Sequence, residues 1–373
     1  MVTAFFPQGV ATDNYFCNRT NERKMLKTSI EMHENLVIIA PRRYGKTSLI
    51  AQVLKENKFA GASIDFFFAL NQSDVKKAIA SGVAHIISQL LPRNVSACQK
   101  IINKVKELNP KLAFSFLGQK IEIITKQSND KSLSEILLAL DQFALETKKS
   151  CVIVLDEFQQ IAELKENHAI EAEIRHAVER SQRVSYIFCG SKRHLLNEMF
   201  SDNSRPLYHL CDLMTIDRIN QDCYHRFLSI MSTKRWHCQL DKDAINEILY
   251  LSERHPYYLN ALCRHLWRQD SIPSISDVRN TWDDYVSRQS PWIIADLSSL
   301  SLNRKRVLMA LAQEATKEPQ GFDFSSRAGL NPSGVQKSLS DLLKLDLVYQ
   351  GSDKYYQILD PALAYFIRQN KSC

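Results

Sequence analysis

The stretch that decides the fold is LVIIAPRRYGKTSLI, residues 36–50. Its first four residues are apolar and mostly β-branched, which predicts a buried strand, and the apolar run after Gly-Lys-Thr-Ser predicts the start of a helix. Polyphosphate binds where a loop presents backbone N–H groups at a helix N-terminus, because the helix dipole also favours negative charge there. The order of strand, polar loop and helix therefore predicts a phosphate-binding loop.

The residues of this loop have distinct tasks in phosphate binding. Gly45 can take backbone angles that other residues avoid, Lys46 can reach the β and γ phosphates, and Thr47 can offer its hydroxyl to magnesium. We expect the backbone N–H groups of residues 43–48 to hold the phosphates. The candidate nucleotide-binding residues of the loop are Arg42, Arg43, Tyr44, Gly45, Lys46, Thr47 and Ser48. The pattern leaves three destinations open for the two arginine side chains, namely phosphate, a neighbouring subunit and solvent.

The loop departs from the pattern G-x-x-x-x-G-K-[ST] at one position, because Ala40 stands where the pattern has glycine. Alanine is acceptable there if its φ is negative, and Pro41 disfavours the α region at the residue before it. The alternative interpretation is a chance Gly-Lys-Thr in a surface turn. The strand before the tripeptide and the helix after it favour the phosphate-binding loop.

Length and composition are those of an ordinary globular protein. The 373 residues suffice for two or three domains, and the contents of 45% apolar and 24% charged residues are typical. The net charge of +7 comes from interspersed residues and permits an acidic partner without indicating one. The nine cysteines include no C-x-x-C pair, which indicates a reducing compartment and no zinc site.

The N-terminus and the apolar runs indicate a cytoplasmic protein with no membrane partner. The opening Met-Val-Thr-Ala-Phe-Phe-Pro is too short and too poor in basic residues for a signal peptide. No apolar run approaches the length that spans a bilayer.

A second strong signal is CVIVLDEFQQ, residues 151–160, an apolar strand that ends in two acids. Acids there are costly unless they lie at the C-terminal edge of an open α/β sheet, where ligands bind. Asp156 would hold magnesium through water, and Glu157 would orient and deprotonate the attacking water. The alternative is a strand followed by an acidic helix start. The phosphate-binding loop upstream favours the functional interpretation.

Two further segments carry candidate ligands. Residues 185–191 predict a third buried strand, and Ser191 at its end is a candidate to contact the γ-phosphate or the attacking water. A plain strand-to-turn junction explains the same residues. Ahead of the loop, Phe16 or Arg19 would lie against the nucleotide base, although the same stretch also fits an ordinary amphipathic helix with a capped start.

Together these motifs resemble those of the predicted P-loop ATPases of the archaeal-ATPase family, a branch of the AAA+ superfamily close to the STAND signalling NTPases. The resemblance runs from about Phe16 to the end of the chain. Its most specific parts are Pro-Arg-Arg-x-Gly-Lys-Thr-Ser from Pro41 and Asp-Glu-Phe-Gln from Asp156. The other matching elements are Phe16-Cys17-Asn18-Arg19, Gly190-Ser191, Arg205-Pro206-Leu207-Tyr208 and His255-Pro256-Tyr257-Tyr258-Leu259.

The resemblance implies an α/β fold with three parts. A P-loop NTPase three-layer αβα core with a parallel sheet would span residues 1–216, a helical lid residues 217–290, and a winged-helix domain residues 291–373. Ser290-Pro291 would be the linker into the last domain. The ligands implied are ATP or ADP and Mg²⁺.

The family layout also implies two more site residues. Arg205 would lie near the γ-phosphate, in cis or from a neighbouring subunit, and stabilise charge in the transition state. The alternative is an exposed loop arginine before Pro206. Pro256 would begin the lid helix that faces the nucleotide, and His255 beside it would be structural because no acid is adjacent.

The final 70 or so residues have the order of a winged helix, with three helices followed by two strands joined at Gly351-Ser352-Asp353-Lys354. A helix that reads DNA carries several basic or amide residues on its exposed face. This one offers only Gln336, Lys337 and Lys344 against Asp341. The pattern favours a protein contact, or packing on the ATPase core, over DNA binding.

The sequence therefore predicts an ATP-dependent molecular switch with ATPase activity, whose turnover is expected to be slow. Its partner would be an unidentified protein, self-association included. The alternatives are a nucleotide-gated DNA-binding regulator that uses the winged helix, and a scaffold that holds nucleotide only for structure. The preference for ATP over GTP rests on the resemblance, because no base-reading motif is present.

Overall fold

The computed structural model describes residues 5–92, 94–108, 112–117, 120–125, 132–351 and 353–370. The chain forms two compact units. The first, called the sheet unit, comprises Thr20–Arg42 and Leu49–Ile216. The second, called the helical unit, comprises Met1–Arg19, Arg43–Ser48 and Asp217–Cys373. The domain boundaries expected from the sequence stay predictions.

The sheet unit is built on five parallel strands, which are hydrogen-bonded in the order β2-β5-β6-β1-β7. They are β1 (Leu36–Ile39), β2 (Ala60–Asp65), β5 (Cys151–Asp156), β6 (Val184–Gly190) and β7 (Asp212–Thr215). A separate antiparallel hairpin consists of β3 (Leu112–Leu117) and β4 (Lys120–Thr125). The expected α/β core with a parallel sheet is confirmed.

Seven helices accompany these strands: α1 (Thr20–Glu31), α2 (Lys46–Asn57), α3 (Gln72–Leu90), α4 (Val95–Leu108), α5 (Leu133–Thr147), α6 (Asn167–Val178) and α7 (Arg193–Ser201). Side chains cap at least three of them at the N-terminus, and at α4 the Asn94 side chain accepts a hydrogen bond from the backbone N–H of Ala97 at 3.1 Å. Asn71 accepts a hydrogen bond from the backbone N–H of Asp74 at α3, and Ser132 accepts one from that of Glu135 at α5. Each cap satisfies a donor that the first helical turn leaves without an intrahelical partner.

Burial explains why the sequence predicts β5 and β6 and misses β7. The first five residues of β5 and all seven of β6 are buried, and parallel strands covered on both faces read as continuous apolar runs. Strand β7 has one buried residue in four and lacks such a run, so the sequence pattern misses it. The hairpin falls in residues 110–131, where the sequence predicts no element, and residues 110–111, 118–119 and 126–131 lie outside the described residues.

The helical unit contains two groups of elements. The first is α8 (Gln221–Trp236), α9 (Lys242–Leu251), α10 (Pro256–Leu266) and α11 (Ile275–Ser298). The second is α12 (Leu302–Gln313), α13 (Phe322–Ala328), α14 (Pro332–Lys344), β8 (Val348–Gln350), β9 (Tyr356–Ile358) and α15 (Pro361–Asn370). Three helices followed by an antiparallel strand pair confirm the winged helix. Ser352, in the predicted wing turn, lies outside the described residues.

Helix α11 continues through Ser290 and Pro291, where the sequence predicts a linker, so the chain stays helical there while the domain boundary itself stays a prediction. Proline lacks the N–H that would bond to the carbonyl four residues earlier, which is that of Ser287. The Ser290 hydroxyl donates to this Ser287 oxygen at 2.7 Å. The carbonyl therefore has a partner, and the helix tolerates the proline.

Two observations on the described residues concern membranes and thiols. Nothing among the described helices is both long and apolar enough to cross a bilayer. The described cysteines are free thiols, and Cys151, Cys189 and Cys263 are buried, where reduced cysteine packs as a small apolar residue. Cys373 lies outside the described residues.

Candidate functional site

The sheet unit places its polar residues where the parallel strands end. Strand β5 ends at Asp156, which is paired in register with Asp65 at the end of β2. The Asp156 carboxylate accepts a hydrogen bond from the Cys189 thiol at 3.2 Å and one from the Glu157 backbone N–H at 3.0 Å. The phosphate-binding loop starts at the same edge, because β1 lies beside β6 and ends at Ile39.

Glu157 sits in an unusual backbone conformation immediately after β5. Its φ is 49°, in the left-handed region that non-glycine residues rarely adopt. Two neutral donors meet one oxygen of its carboxylate: Gln159 Nε2 at 2.6 Å and Ser191 Oγ at 2.8 Å. The carboxylate is thus held in one orientation by residues from the turn after β5 and from the end of β6.

Gly190 explains how Gln159 fits into this site. The Gln159 side chain is fully buried, and a Cβ atom on Gly190 would lie 1.8 Å from its Oε1 atom. Any larger residue at position 190 would therefore displace the amide that holds Glu157. Gln159 Oε1 has no hydrogen-bond partner within the described structure, so the same amide retains a free acceptor beside the carboxylate.

The structure brings three predicted residues together, namely Asp156, Glu157 and Ser191. The Ser191 hydroxyl donates to Glu157, a contact that the sequence did not predict. Its expected contact with the γ-phosphate stays a prediction. The observed contact with Glu157 does not exclude the expected one, because a serine hydroxyl can both donate and accept a hydrogen bond.

Arg205 has a carboxylate partner in the sheet unit. Its guanidinium forms an ion pair with Glu171 of α6, in which the Glu171 side chain is fully buried and that of Arg205 is 10% exposed. Burial raises the pKa of Glu171 to about 7, although the charge and the hydrogen bond of Arg205 act to lower it. The alternative of an exposed loop arginine is therefore wrong, because burial and a partner define this side chain.

Ala40, at the start of the loop, replaces the first glycine of the usual pattern without backbone strain. Ala40 is buried, 1% exposed, and its φ is not in the left-handed region, so alanine replaces glycine there at no conformational cost. Arg42, two residues later, is exposed.

In the helical unit, the remainder of the loop has the backbone expected for phosphate binding. Gly45 has φ of 89°, which an L-residue would adopt only with strain. Helix α2 begins at the next residue, Lys46, which is 7% exposed, and Thr47 follows on its first turn. Ser48 Oγ accepts a hydrogen bond from the Ala11 backbone N–H at 3.0 Å. Amides at a helix N-terminus are a favourable place for phosphate.

Arg43 and Tyr44, just before Gly45, point at aromatic groups of the helical unit. The Arg43 guanidinium lies 4.3 Å from the centre of the Tyr257 ring. Tyr44 is 1% exposed, and its ring packs edge-on against His255 at 4.7 Å and Tyr349 at 6.2 Å between ring centres. The Arg43 guanidinium thus contacts an aromatic ring of the same unit, and its contact with a nucleotide phosphate stays a prediction.

Arg19 and Phe16 precede the loop in sequence. Arg19 Nη2 donates to the backbone oxygen of Tyr44 at 3.2 Å, and its side chain is buried. Phe16 is half-buried after a short 3₁₀ turn, Asp13–Tyr15, and helix α1 begins only at Thr20. The structure thus places Arg19 on the phosphate-binding loop, and the base contact of either residue stays a prediction.

The pair His255 and Pro256 forms the start of α10. His255 Nδ1 accepts a hydrogen bond from the Tyr257 backbone N–H, which caps the helix, and Pro256 occupies the first helical position. Burial lowers the pKa of His255 well below its usual range, and the charges of Arg218 and Arg43 lower it further. A neutral capping histidine agrees with the structural role expected from the sequence.

Three residues of these sites escaped sequence reasoning. Asp65 ends β2 as Asp156 ends β5, but three phenylalanines follow it, so the sequence pattern does not show that the strand stops there. Gln159 lies in the acidic motif itself, but nothing in the pattern indicates which way its amide points. Arg218, whose Nε donates to the Tyr44 hydroxyl at 3.2 Å, is 174 positions from its partner and has no local signal.

Comparison with known proteins gives two matches to family models. Residues 16–262 match an ATPase domain predominantly from Archaea, and residues 295–369 match a probable winged helix domain. No curated protein matches the sequence.

Two solved structures extend this likeness over the whole chain. The Walker-type ATPase of Pyrococcus abyssi is similar with a TM-score of 0.70 and 19% identity, over 98% of this chain and 99% of that chain. The ORC2 protein of Aeropyrum pernix, in ADPNP and ADP complexes, is similar with a TM-score of 0.53 and 13% identity, over 99% and 98%. At these identities the likeness is one of fold.

Proposed function

We propose, from the premise that this chain belongs to the family of ATPase domains found predominantly in Archaea, that it is an ATP-dependent molecular switch. It would bind ATP, hydrolyse it slowly, and pass its nucleotide state to a protein partner through its lid and winged helix. The observation that carries the proposal is the restrained Glu157 carboxylate at the end of β5, beside Asp156. A purely structural nucleotide site has no need of an oriented base.

The binding half of the proposal rests on the phosphate-binding loop. Lys46 would contact the phosphates, together with the backbone N–H groups of residues 43–48, because the loop ends in a left-handed Gly45 and the N-terminus of α2. Thr47 and Asp156 would hold Mg²⁺, since a hydroxyl and a carboxylate are oxygen ligands of the kind that this hard cation takes. When bound, Mg²⁺ neutralises part of the phosphate charge.

The chemical half of the proposal rests on the end of the sheet. Glu157 would accept a proton from the attacking water, and the donors Gln159 and Ser191 would keep its carboxylate aimed. Ser191 would in addition sense the γ-phosphate. Arg205 would stabilise transition-state charge, in cis or in trans, if nucleotide binding draws it away from Glu171.

The nucleotide base and the cellular location are the remaining features of the proposed function. The Aeropyrum pernix ORC2 protein was solved with ADPNP and ADP, which supports an adenine nucleotide here. Phe16, Arg19 and Pro256 would lie on the base side of the nucleotide. The free buried thiols support a reducing compartment, so we place the protein in the cytoplasm.

A nucleotide-gated DNA-binding regulator is the second candidate function, and one observation bears on it. On helix α14, which would contact DNA in such a regulator, Asp341 forms an ion pair with Arg304, so that part of its negative charge is neutralised. Of the charged residues expected on the exposed face of this helix, Lys337 and Lys344 are the two that could contact DNA phosphate. This footprint stays small for a DNA-binding surface.

The experiment that tests the proposal is steady-state hydrolysis of ATP and of GTP by the full chain, with and without duplex DNA, alongside the mass in solution. The proposal expects Mg²⁺-dependent release of phosphate from ATP that duplex DNA does not change. Salt-dependent duplex binding that weakens in a Lys337→Gln, Lys344→Gln variant would favour the regulator instead. Nucleotide that survives extensive dialysis with no turnover would favour a scaffold.

A further inference from the structure

Tyr44 is unusual for a residue of a phosphate-binding loop, because its side chain is buried among side chains from distant parts of the helical unit. Its backbone oxygen accepts a hydrogen bond from Arg19 at 3.2 Å. Its hydroxyl accepts one from Arg218 Nε at 3.2 Å. Its ring packs edge-on against His255 and Tyr349. The residue directly before Gly45 is thus held from three sides.

Arg218 is itself fixed by other contacts. Its Nη1 atom donates to the Glu253 backbone oxygen at 2.8 Å and to Glu253 Oε2 at 2.9 Å, and its side chain is 8% exposed. The other oxygen of the same carboxylate, Oε1, accepts a hydrogen bond from Arg368 Nη2 of α15 at 3.1 Å. Glu253 therefore joins Arg218 to the last helix of the winged-helix domain.

Tyr349 supplies the second link to the winged helix. It lies in β8, is 3% exposed, and its hydroxyl accepts a hydrogen bond from Gln357 Nε2 of β9 at 2.6 Å. The Arg218 guanidinium lies 5.1 Å from the centre of its ring, within the range of a cation–π interaction. Tyr44, Arg218 and Tyr349 consequently contact one another in pairs.

We propose that Arg218 and Tyr349 are positioning residues for the phosphate-binding loop, which they hold through Tyr44, so that a residue of the winged helix contributes to nucleotide affinity. The part of this inference that concerns nucleotide rests on the proposed function. Neither residue need touch the nucleotide. Their effect is to keep the backbone of Tyr44 and Gly45 in the conformation that presents its amides to phosphate.

The contact works in both directions. If the packing of Tyr349 favours the binding-competent loop, bound nucleotide must favour that packing by the same factor. The winged helix would then respond to nucleotide through a specific contact, and a partner that draws β8 away from Tyr44 would weaken nucleotide binding. Arg43, with its guanidinium over Tyr257, would add a smaller contribution because it is exposed.

Hydrogen exchange of the loop amides tests the positioning role without any nucleotide. The variants are Tyr44→Phe, which removes only the hydroxyl, Arg218→Lys, which keeps the charge, and Tyr349→Leu, which removes the ring. The matched control is Tyr355→Leu, which removes an exposed tyrosine of the same wing that is next to Lys317. Peptides covering residues 43–48 should exchange faster in the three variants than in the control.

Affinity for ATP measured on the same samples extends the test to function. Loss of a hydrogen bond from a charged donor corresponds to about a 10-fold change or more. We expect Tyr44→Phe to weaken binding by about that factor. Tyr349→Leu, which removes the cation–π contact, should weaken it by about 2- to 30-fold. The double variant should weaken it by less than the product, because the two residues share a contact. An unchanged rate of hydrolysis from the ATP-bound state would show that these residues position the loop and do not take part in catalysis.

The outcomes are distinguishable. Loop exchange in Tyr349→Leu and Arg218→Lys that equals the exchange in Tyr355→Leu would overturn the inference, whatever the affinities. Faster exchange in the variants, with wild-type protein that binds no ATP, would support the positioning role and overturn the proposed function instead. Unfolding of Tyr349→Leu would be seen as faster exchange throughout the helical unit, and the decision would then rest on Tyr44→Phe and Arg218→Lys.

Discussion

The carboxylate of Glu157 and the side chain of Tyr44 are both held by several contacts, but by parts of the chain at very different distances. Glu157 is held by Gln159 and Ser191, which are two and 34 residues away. Tyr44 is held by side chains that include Arg218, 174 residues away, and Tyr349 of the winged helix. The first arrangement belongs to the sheet, and the second depends on the C-terminal elements.

This difference indicates that two properties of the proposed enzyme, the rate of hydrolysis and the affinity for nucleotide, depend on different parts of the chain. The proposed base, Glu157, is oriented by Gln159 and Ser191, which follow strands β5 and β6 of the sheet unit. Tyr44 of the phosphate-binding loop contacts Arg218 and Tyr349, and on our proposal a partner that moves the winged helix would change the conformation of the loop. We therefore expect changes near Glu157 to alter the rate of chemistry, and changes near Tyr44 to alter binding.

Replacement of Glu157 should have the largest effect on the rate of ATP hydrolysis. A Glu157→Gln variant keeps the shape of the side chain but cannot accept the proton, and loss of a general base costs about 100- to 10,000-fold. Single-turnover hydrolysis measures this rate, and the affinity for ATP should stay close to that of wild type. Glu166→Gln, at an exposed position, is the control. Equal rates in wild type and Glu157→Gln would remove the assigned base.

Replacement of Ser191 should have a smaller effect on the same rate. Ser191→Ala deletes one of the two donors to Glu157, and a hydrogen bond to a charged group corresponds to about 10- to 100-fold. Single-turnover hydrolysis again checks the loss, with Ser201→Ala on α7 as the control. A loss of affinity with an unchanged rate would show that Ser191 acts mainly on the phosphate and not on Glu157.

Replacement of Glu171 should change a different property, the free energy of unfolding and its pH dependence. The pKa of Glu171 is raised by burial to about 7 from 4.5, so the folded chain holds a proton between these pH values that the unfolded chain releases. The contribution to stability is complete below pH 4.5 and is lost as the pH rises to about 7, by at most about 1.4 kcal/mol per pH unit.

Denaturant unfolding at several pH values checks this contribution. Glu171→Gln should remove that part of the slope, and Glu166→Gln, at the exposed position directly before the same helix, should keep it. The same slope in wild type and Glu171→Gln would contradict the burial-driven shift. The result also bears on Arg205, because a neutral Glu171 would leave that arginine more available for a role near phosphate.

The sequence predicted the parts of the molecule that depend on local pattern. Strands β1, β5 and β6 are continuous apolar runs, and the residues that end β5 and β6 are the ones that meet at the sheet edge. The order of helices and strands likewise identified the winged helix. In these places the burial of a strand or of a helix face decides both the local sequence pattern and the structure.

The parts that escaped prediction depend on contacts between distant residues or on compensation. The Ser290 hydroxyl replaces the donor that Pro291 lacks, so a proline that normally indicates a break lies inside a helix. Gly190 makes room for Gln159, which then reaches Glu157. Arg218 and Tyr349 lie in segments without a sequence motif, and their proposed role rests on their contacts with Tyr44.

The binding of ATP with Mg²⁺ by the wild-type chain and by Lys46→Ala, measured by calorimetry in one buffer, tests the central claim most directly. Lys55→Ala, in the last turn of the same helix, is the control. Because a hydrogen bond between charged groups corresponds to about 10- to 100-fold, we predict at least that loss in Lys46→Ala and none in Lys55→Ala. Equal affinities of wild type and Lys46→Ala would contradict the assignment of this loop to phosphate.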